Sequence, residues 1–381
     1  MKVCVYGAGA IGGYLAGRLA EGGAELSVVA RGAHLAAIRA EGLTVRTAEG
    51  ALRSRPAASD DPADLGPQDA VVVCTKVPAL PSVAEGIGPL LKPGTAVAFV
   101  SNGIPWWYFD RHGGEAEGTR VPEVDPGDAV RRAVGVERTI GGVVYAACSV
   151  PSPGVVEVAS RTSKLILGEP DGTRSGRAAA LAGAFEAGGL PCGVSGGIRD
   201  EVWGKLLNNL ANGPLCLLTR RNMRDTFADP VLHGAALKAV EEGLATAAAM
   251  GRRVSSSAQE RIALSAKIPH KPSILQDLEL GRPMEIDALF TVPLRLARER
   301  GVPTPMLSLL VAMATQAAAS NEDQAYAVNM FSFLRAFGQT VGVAVGGVIF
   351  QNQMRRKLES YPLLADRAVE YSKDASGLVE I

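Results

Sequence analysis

Near its start the chain carries Gly7-Ala8-Gly9-Ala10-Ile11-Gly12, three glycines at the spacing G-x-G-x-x-G. That spacing can grip the pyrophosphate of a dinucleotide. Gly7 permits a tight turn, Gly9 lets phosphate approach the backbone, and Gly12 lets a helix pack close to the preceding strand. The helix start then offers free N–H groups and a partial positive charge to the phosphates. With 44 glycines in the chain the spacing alone is weak. Its context is specific: Lys2–Tyr6 reads as a buried strand and Tyr14–Ala20 as a helix.

Other residues of chemical interest stand where such a unit would use them. Glu25–Ala30 reads as a second strand, and a dinucleotide unit that prefers NAD would place an acid near its end to hold the ribose hydroxyl. Here Arg31 follows, which suits a 2′-phosphate and favours NADP. Asp69–Cys74 and Thr95–Val100 are continuous apolar runs, as in parallel strands buried on both faces. They end in Thr75-Lys76 and Ser101-Asn102-Gly103, so Asn102 would face the ligand crevice, and Lys76 either faces it too or is a plain lysine at a strand edge. Trp106, Trp107 and Tyr108 follow as either a pocket wall or a packed corner. In Ile198–Ala211 the helical period puts Lys205, Asn209 and Asn212 on one face. On the residues alone, a solvated helix face is the simpler account of these three.

The elements that must position these groups form an α/β chain. A Rossmann-type doubly wound parallel sheet occupies about 1–195, and an all-helical domain 196–320. Residues 43–56 read as short strands, as do Ile140–Ala147, Gly154–Ala159 and Lys164–Gly168. Ser175–Ala187 reads as a helix and Gly188–Gly197 as a loop. Arg111–Arg138, rich in Gly, Pro and charge, reads as an excursion from the core, a long hairpin or loop. Pro214 should bend or end the helix of Lys205. Ser273 with Gln276 fits a capping box, Glu285 fits a first-turn acid after Pro283, and Pro305–Ala319 reads as a last helix.

The chain has 381 residues, 47% hydrophobic and 20% charged, with 39 basic residues against 39 acidic. A balanced charge gives no electrostatic case for nucleic acid as partner. The five cysteines are scattered and form no C-x-x-C. They read as reduced thiols in a reducing compartment, which with no visible signal peptide points to the cytoplasm. No metal site is expected.

Taken together, the glycine corner, Arg31, Thr75-Lys76, Asn102-Gly103, Trp203-Gly204-Lys205-Leu206-Leu207 with Asn209, and Ser273-x-Leu275-Gln276-Asp277 through Glu285-Ile286-Asp287 resemble the ketopantoate reductase (2-dehydropantoate 2-reductase) family over about 1–320. The resemblance implies a cleft between the two domains in which NADPH reduces ketopantoate to pantoate, a precursor of coenzyme A. It implies Lys205 as general acid and Glu285 as the residue that orients that end, touches the cofactor and keeps Lys205 charged. Asn209 and Ser273 would bind the substrate's hydroxyl and carboxylate, and Asn102 would bridge cofactor and substrate. Gly7, Ala8, Gly9, Ala10, Ile11, Gly12, Arg31 and Lys76 would hold NADPH. One position departs: eight residues after the lysine, where the family usually has a second Asn, stands Gly213. Asn212, one residue earlier, is the substitute candidate for substrate binding. Another 2-keto or 3-keto acid, or a non-catalytic NADP-binding sensor, is the alternative reading. A homodimer is an allowed assembly.

The tail, about 321–381, falls outside that pattern. Phe331–Phe350 resembles a late helix of a major facilitator superfamily transporter. Its uninterrupted apolar stretch, Val341–Phe350, is half of the ~20 residues a span needs, which disfavours a membrane anchor. The tail reads as a fused or loosely attached extension.

Overall fold

The computed structural model describes residues 1–319, together with 355, 356 and 359; the transporter-like segment lies outside the described residues. In chain order the strands are β1 (Lys2–Tyr6), β2 (Glu25–Val29), β3 (Leu43–Thr47), β4 (Gly50–Ser54), β5 (Ala57–Ser59), β6 (Ala70–Val73), β7 (Ala96–Phe99), β8 (Thr139–Tyr145), β9 (Cys148–Ser152), β10 (Val155–Val158), β11 (Lys164–Gly168) and β12 (Cys192–Val194). The helices are α1 (Ala10–Glu21), α2 (Gly32–Glu41), α3 (Leu80–Gly86), α4 (Ala129–Val134), α5 (Gly176–Ala187), α6 (Ile198–Thr219), α7 (Met223–Phe227), α8 (Pro230–Ala249), α9 (Ala258–Ser265), α10 (Ser273–Glu279), α11 (Val292–Glu299) and α12 (Pro305–Ala318).

Two sheets build the N-terminal half. The larger has the order β12-β11-β8-β7-β6-β1-β2-β5. From β8 to β5 neighbouring strands run parallel, and all four residues of β6 and of β7 are buried, as the unbroken apolar runs require. The edge reverses: β11 lies antiparallel to β8, and β12 follows β11 in parallel. The smaller sheet, β4-β3-β10-β9, packs beside α1. Gly17 makes the approach possible, because a Cβ there would come within 2.6 Å of Val45. At the far end of α1 a Cβ on Gly188 would overlap the carbonyl oxygen of Arg18. The helix is therefore seated backbone-close along its length.

Several expectations are corrected. Residues 111–120 are an exposed irregular loop, as expected, but the segment from Val121 to Arg138 is not an excursion. Val121, Val124, Val130 and Val134 are buried, and the Asp125 carboxylate accepts from the N–H groups of Val130 (2.8 Å) and Arg131 (3.0 Å), fixing the start of α4. Arg131 forms a bidentate pair with buried Asp110. One of the charges that suggested a solvated loop, Arg131, is thus spent on an internal pair, while Arg111, Glu115, Glu117 and Arg120 stay exposed. The segment 188–197 contains β12, and the strand expected over 140–147 stops at Tyr145 before β9 begins in the other sheet. The helix through Lys205 runs past Pro214 to Thr219. Asn212–Leu217 are all buried, so packing outweighs the one hydrogen bond proline forfeits. No capping box forms at Ser273. Pro272 takes the cap position, and the Gln276 amide donates to the Lys271 carbonyl at 2.8 Å. The capping box in this region is Ser257 with Glu260, ahead of α9.

Trp106, Trp107 and Tyr108 form a packed corner, each at most 1% exposed. Tyr108 accepts a 2.7 Å hydrogen bond from the Trp203 indole, and the Arg199 guanidinium donates to the carbonyls of Tyr108, Asp110 and Pro170. This ties the segment after β7 to the first turns of α6. Among the described residues no helix is long and apolar enough to cross a membrane.

Candidate active site

The carboxyl ends of β1, β6, β7 and β8 converge on one edge of the large sheet, where α/β folds bind ligands. At β1 the glycine corner has the geometry its spacing predicts. Gly7 has φ +96°, and its N–H and that of Ala8 both donate to the Val29 carbonyl. A side chain on Gly7 would sit 2.7 Å from Thr75, and one on Gly12 would overlap the Gly7 oxygen. At Gly9 nothing lies within 4 Å of the missing Cβ, and no side chain caps α1. The corner is a cradle with open space over a free helix N-terminus, which fits a pyrophosphate. The Thr75 hydroxyl, buried beside it, has no hydrogen-bond partner. Arg31 stands exposed at the start of α2, with Nη2 3.4 Å from Ser82 Oγ.

Beyond β6 and β7 the crevice meets the helical half. Lys76 Nζ lies 2.5 Å from Asp277 Oδ1 and donates to the Pro283 carbonyl at 3.3 Å. The Val77 N–H donates to the Glu285 carboxylate (3.3 Å), and Asn102 Nδ2 donates to its other oxygen (3.0 Å). Glu285 is therefore not merely a first-turn acid. It precedes a π-helical turn, Asp287–Thr291, and its buried carboxylate points back to the sheet edge. Turns of this kind recur at functional sites. Burial pushes the Glu285 carboxyl above its usual range, against the lowering effect of its two donors.

Lys205 stands on α6 with no hydrogen bond or ion pair among the described residues. Desolvation by the surrounding protein pulls its ammonium down to about 8, and the charge of Glu285 opposes that shift. The geometry joins Asn102 and the Val77 N–H directly to Glu285 and brings Lys76 to neighbouring Asp277 and Pro283, while Lys205 and Glu285 influence each other only through their charges. An ammonium brought down toward neutral pH, with a carboxylate charge acting to keep it protonated, is equipped to deliver a proton. Asn212 is drawn elsewhere: it is buried, donates to Ser265 Oγ at 3.3 Å, and keeps an unpartnered carbonyl oxygen. Ser273 is exposed at the start of α10. The space a side chain on Gly213 would need is occupied by Phe290, 2.9 Å from the Cβ position. Asp277 received no role from the sequence. Its signal was the quoted Leu275-Gln276-Asp277 run, where a buried acid needs a cation.

A doubly wound sheet with a glycine corner at its ligand-binding edge, and a buried carboxylate brought to that edge from a helical half, defines a two-part, dinucleotide-binding oxidoreductase. The comparisons agree. The family described as ketopantoate reductase PanE/ApbA matches residues 3–172, and its C-terminal counterpart matches residues 197–318. A 2-dehydropantoate 2-reductase of Mesorhizobium japonicum is 42% identical over 316 residues, covering 82% of this chain and 96% of the relative. A solved structure from Ralstonia solanacearum, provisionally called a ketopantoate reductase, superposes with a TM-score of 0.78 at 38% identity, covering 83% of this chain and 97% of its own. The chain belongs to the ketopantoate reductase family. The transporter resemblance has a match of its own. The MFS transporter L2 of a Phoma species is 68% identical over 81 residues, covering 21% of this chain and 14% of the transporter.

Proposed function

We propose that the chain reduces a 2-keto acid, ketopantoate in the first instance, to the 2-hydroxy acid with NADPH, as a step toward coenzyme A. The observation that carries this reading is the buried Glu285 carboxylate held by Val77 and Asn102 at the sheet edge, whose charge acts on the desolvated Lys205 ammonium. The family membership and the relatives named 2-dehydropantoate 2-reductase support it.

The residues present fit the cofactor. Gly7–Gly12 would cradle the pyrophosphate on the start of α1, and Arg31 would meet a 2′-phosphate. Lys76, Asn102 and Glu285 would line the remainder. A bound reduced nicotinamide supplies the hydride. The protein's own part is electrostatic and acid–base. The Lys205 ammonium polarises the ketone oxygen and donates its proton as that oxygen becomes an alkoxide, then recovers a proton from water. Glu285 holds Lys205 in its charged form, and Asn102 fixes the Glu285 carboxylate. Asn209 and Ser273 are the proposed substrate contacts.

The test is NADPH consumption against a panel of keto acids. Lys205→Ala should lose turnover about a thousandfold while keeping NADPH affinity. Wild-type-like turnover in that variant overturns the reading. A second reading, a different keto acid on the same scaffold, is favoured by Phe290 filling the space beside Gly213. It predicts a higher kcat/KM for an acid with an apolar substituent than for ketopantoate.

A further inference from the structure

Tyr145 is the last residue of β8, at the same sheet edge as Lys76 and Asn102. Strand alternation puts Gly141, Val143 and Tyr145 on one face, and that face meets α6. A Cβ on Gly141 would stand 2.8 Å from Ile198, and the Tyr145 hydroxyl lies 3.8 Å from the Cβ position of Gly204. The ring is thereby carried up to Lys205, whose Nζ lies 6.0 Å from its centroid. A second ammonium, that of exposed Lys164, lies 4.7 Å from the same ring, from the residue paired with Tyr145 across β11. The face of an aromatic ring attracts an ammonium within about 6 Å, more strongly where water is displaced. Lys205 has no hydrogen bond or ion pair among the described residues, so a four-carbon stem would otherwise leave its head free to wander.

We infer that Tyr145 is a positioning residue for Lys205: its ring stations the ammonium at the crevice edge. The inference rests on the reading of Lys205 as proton donor. The ring, not the phenol hydroxyl, does the positioning. Tyr145→Phe should therefore keep kcat within about twofold of wild type. Tyr145→Leu and Tyr145→Met remove the ring and should lower kcat about tenfold, with KM for NADPH unchanged.

A spectroscopic signature separates positioning from a structural effect. In protein labelled at the lysine ε-carbons, the Lys205 ε-CH₂ resonance, identified by its loss in Lys205→Ala, should lie upfield of the bulk lysines. It should stay there in Tyr145→Phe and in the control Lys164→Met, and return to the bulk position in Tyr145→Leu or Tyr145→Met. If neither aliphatic variant folds, the wild-type resonance decides: a Lys205 signal at the bulk position overturns the inference. So does an aliphatic variant that loses turnover with the resonance unmoved, or a Phe variant that falls as far as Leu. Should Lys205→Ala retain turnover, the proton-donor reading itself fails, an outcome distinct from any change at Tyr145.

Discussion

Asn102 and Glu285, 183 residues apart in the chain, meet at 3.0 Å, amide to buried carboxylate. The contact joins the segment after β7 to a residue just ahead of the π-helical turn. It also fixes the carboxylate whose charge opposes the desolvation of Lys205. The electrostatics of the crevice therefore depend on the two halves of the molecule being held together.

The first expectation concerns pH. A general acid acts in its protonated form, and burial brings the Lys205 ammonium down to about 8. The kcat for keto-acid reduction should be level below that value and fall about tenfold per pH unit above it, while the reverse oxidation gains. Steady-state rates at saturating substrates across the alkaline range check this. A flat profile would argue against Lys205 as the donor.

Glu285→Gln removes the charge that raises the Lys205 value but leaves an oxygen to accept from Asn102. The alkaline limb should move to lower pH, by about one unit. The same series of rates at saturating NADPH measures it, and a limb shifted upward would contradict the assigned sign.

Gly9→Ala and Gly12→Ala should fail differently. Nothing lies near the Gly9 Cβ position, so that variant should melt like wild type and lose NADPH affinity. A methyl on Gly12 would overlap the Gly7 carbonyl, so that variant should lose both, with destabilisation of several kcal/mol, on the order of 3. Thermal melts with and without NADPH separate the two.

Arg31→Ala should weaken NADPH binding about tenfold to a hundredfold and leave NADH binding nearly unchanged. Fluorescence titration with each cofactor is the measurement. Equal losses for both would remove the 2′-phosphate assignment.

Arg199→Met should destabilise without touching the crevice. It leaves the carbonyls of Tyr108, Asp110 and Pro170 without their buried donor. The cost should be about 3 kcal/mol, read as a lowered urea midpoint with KM for NADPH intact.

What the sequence disclosed follows a physical division. The glycine corner was readable because its demands are local: a positive φ at Gly7 and contacts that only a missing side chain allows. The buried strands were readable because a sheet covered on both faces needs unbroken apolar runs. The pair that ties the 111–138 segment down was hidden, since Asp110 and Arg131 look like surface charges until they meet. Glu285 satisfied a helix-start rule equally well, and only its contacts with Val77 and Asn102 give it another task. Pro214 misled because the local rule for proline says nothing of the packing around Asn212–Leu217. Asp277, like Tyr145, acquires its partner only through the fold, Lys76 being distant in sequence.

Because α1 is packed backbone-close, with no room for a side chain at Gly12 in front or at Gly188 behind, the proposed phosphate cradle should be a stiff receptor. A ligand docking there should find little backbone disorder to quench, so on the proposed binding mode the conformational entropy lost would fall on Lys76, Arg31 and the helical half instead. Calorimetry of NADPH binding would then register ordering in those side chains and helices, while amide exchange along α1 would be already slow in the free protein and little changed on saturation.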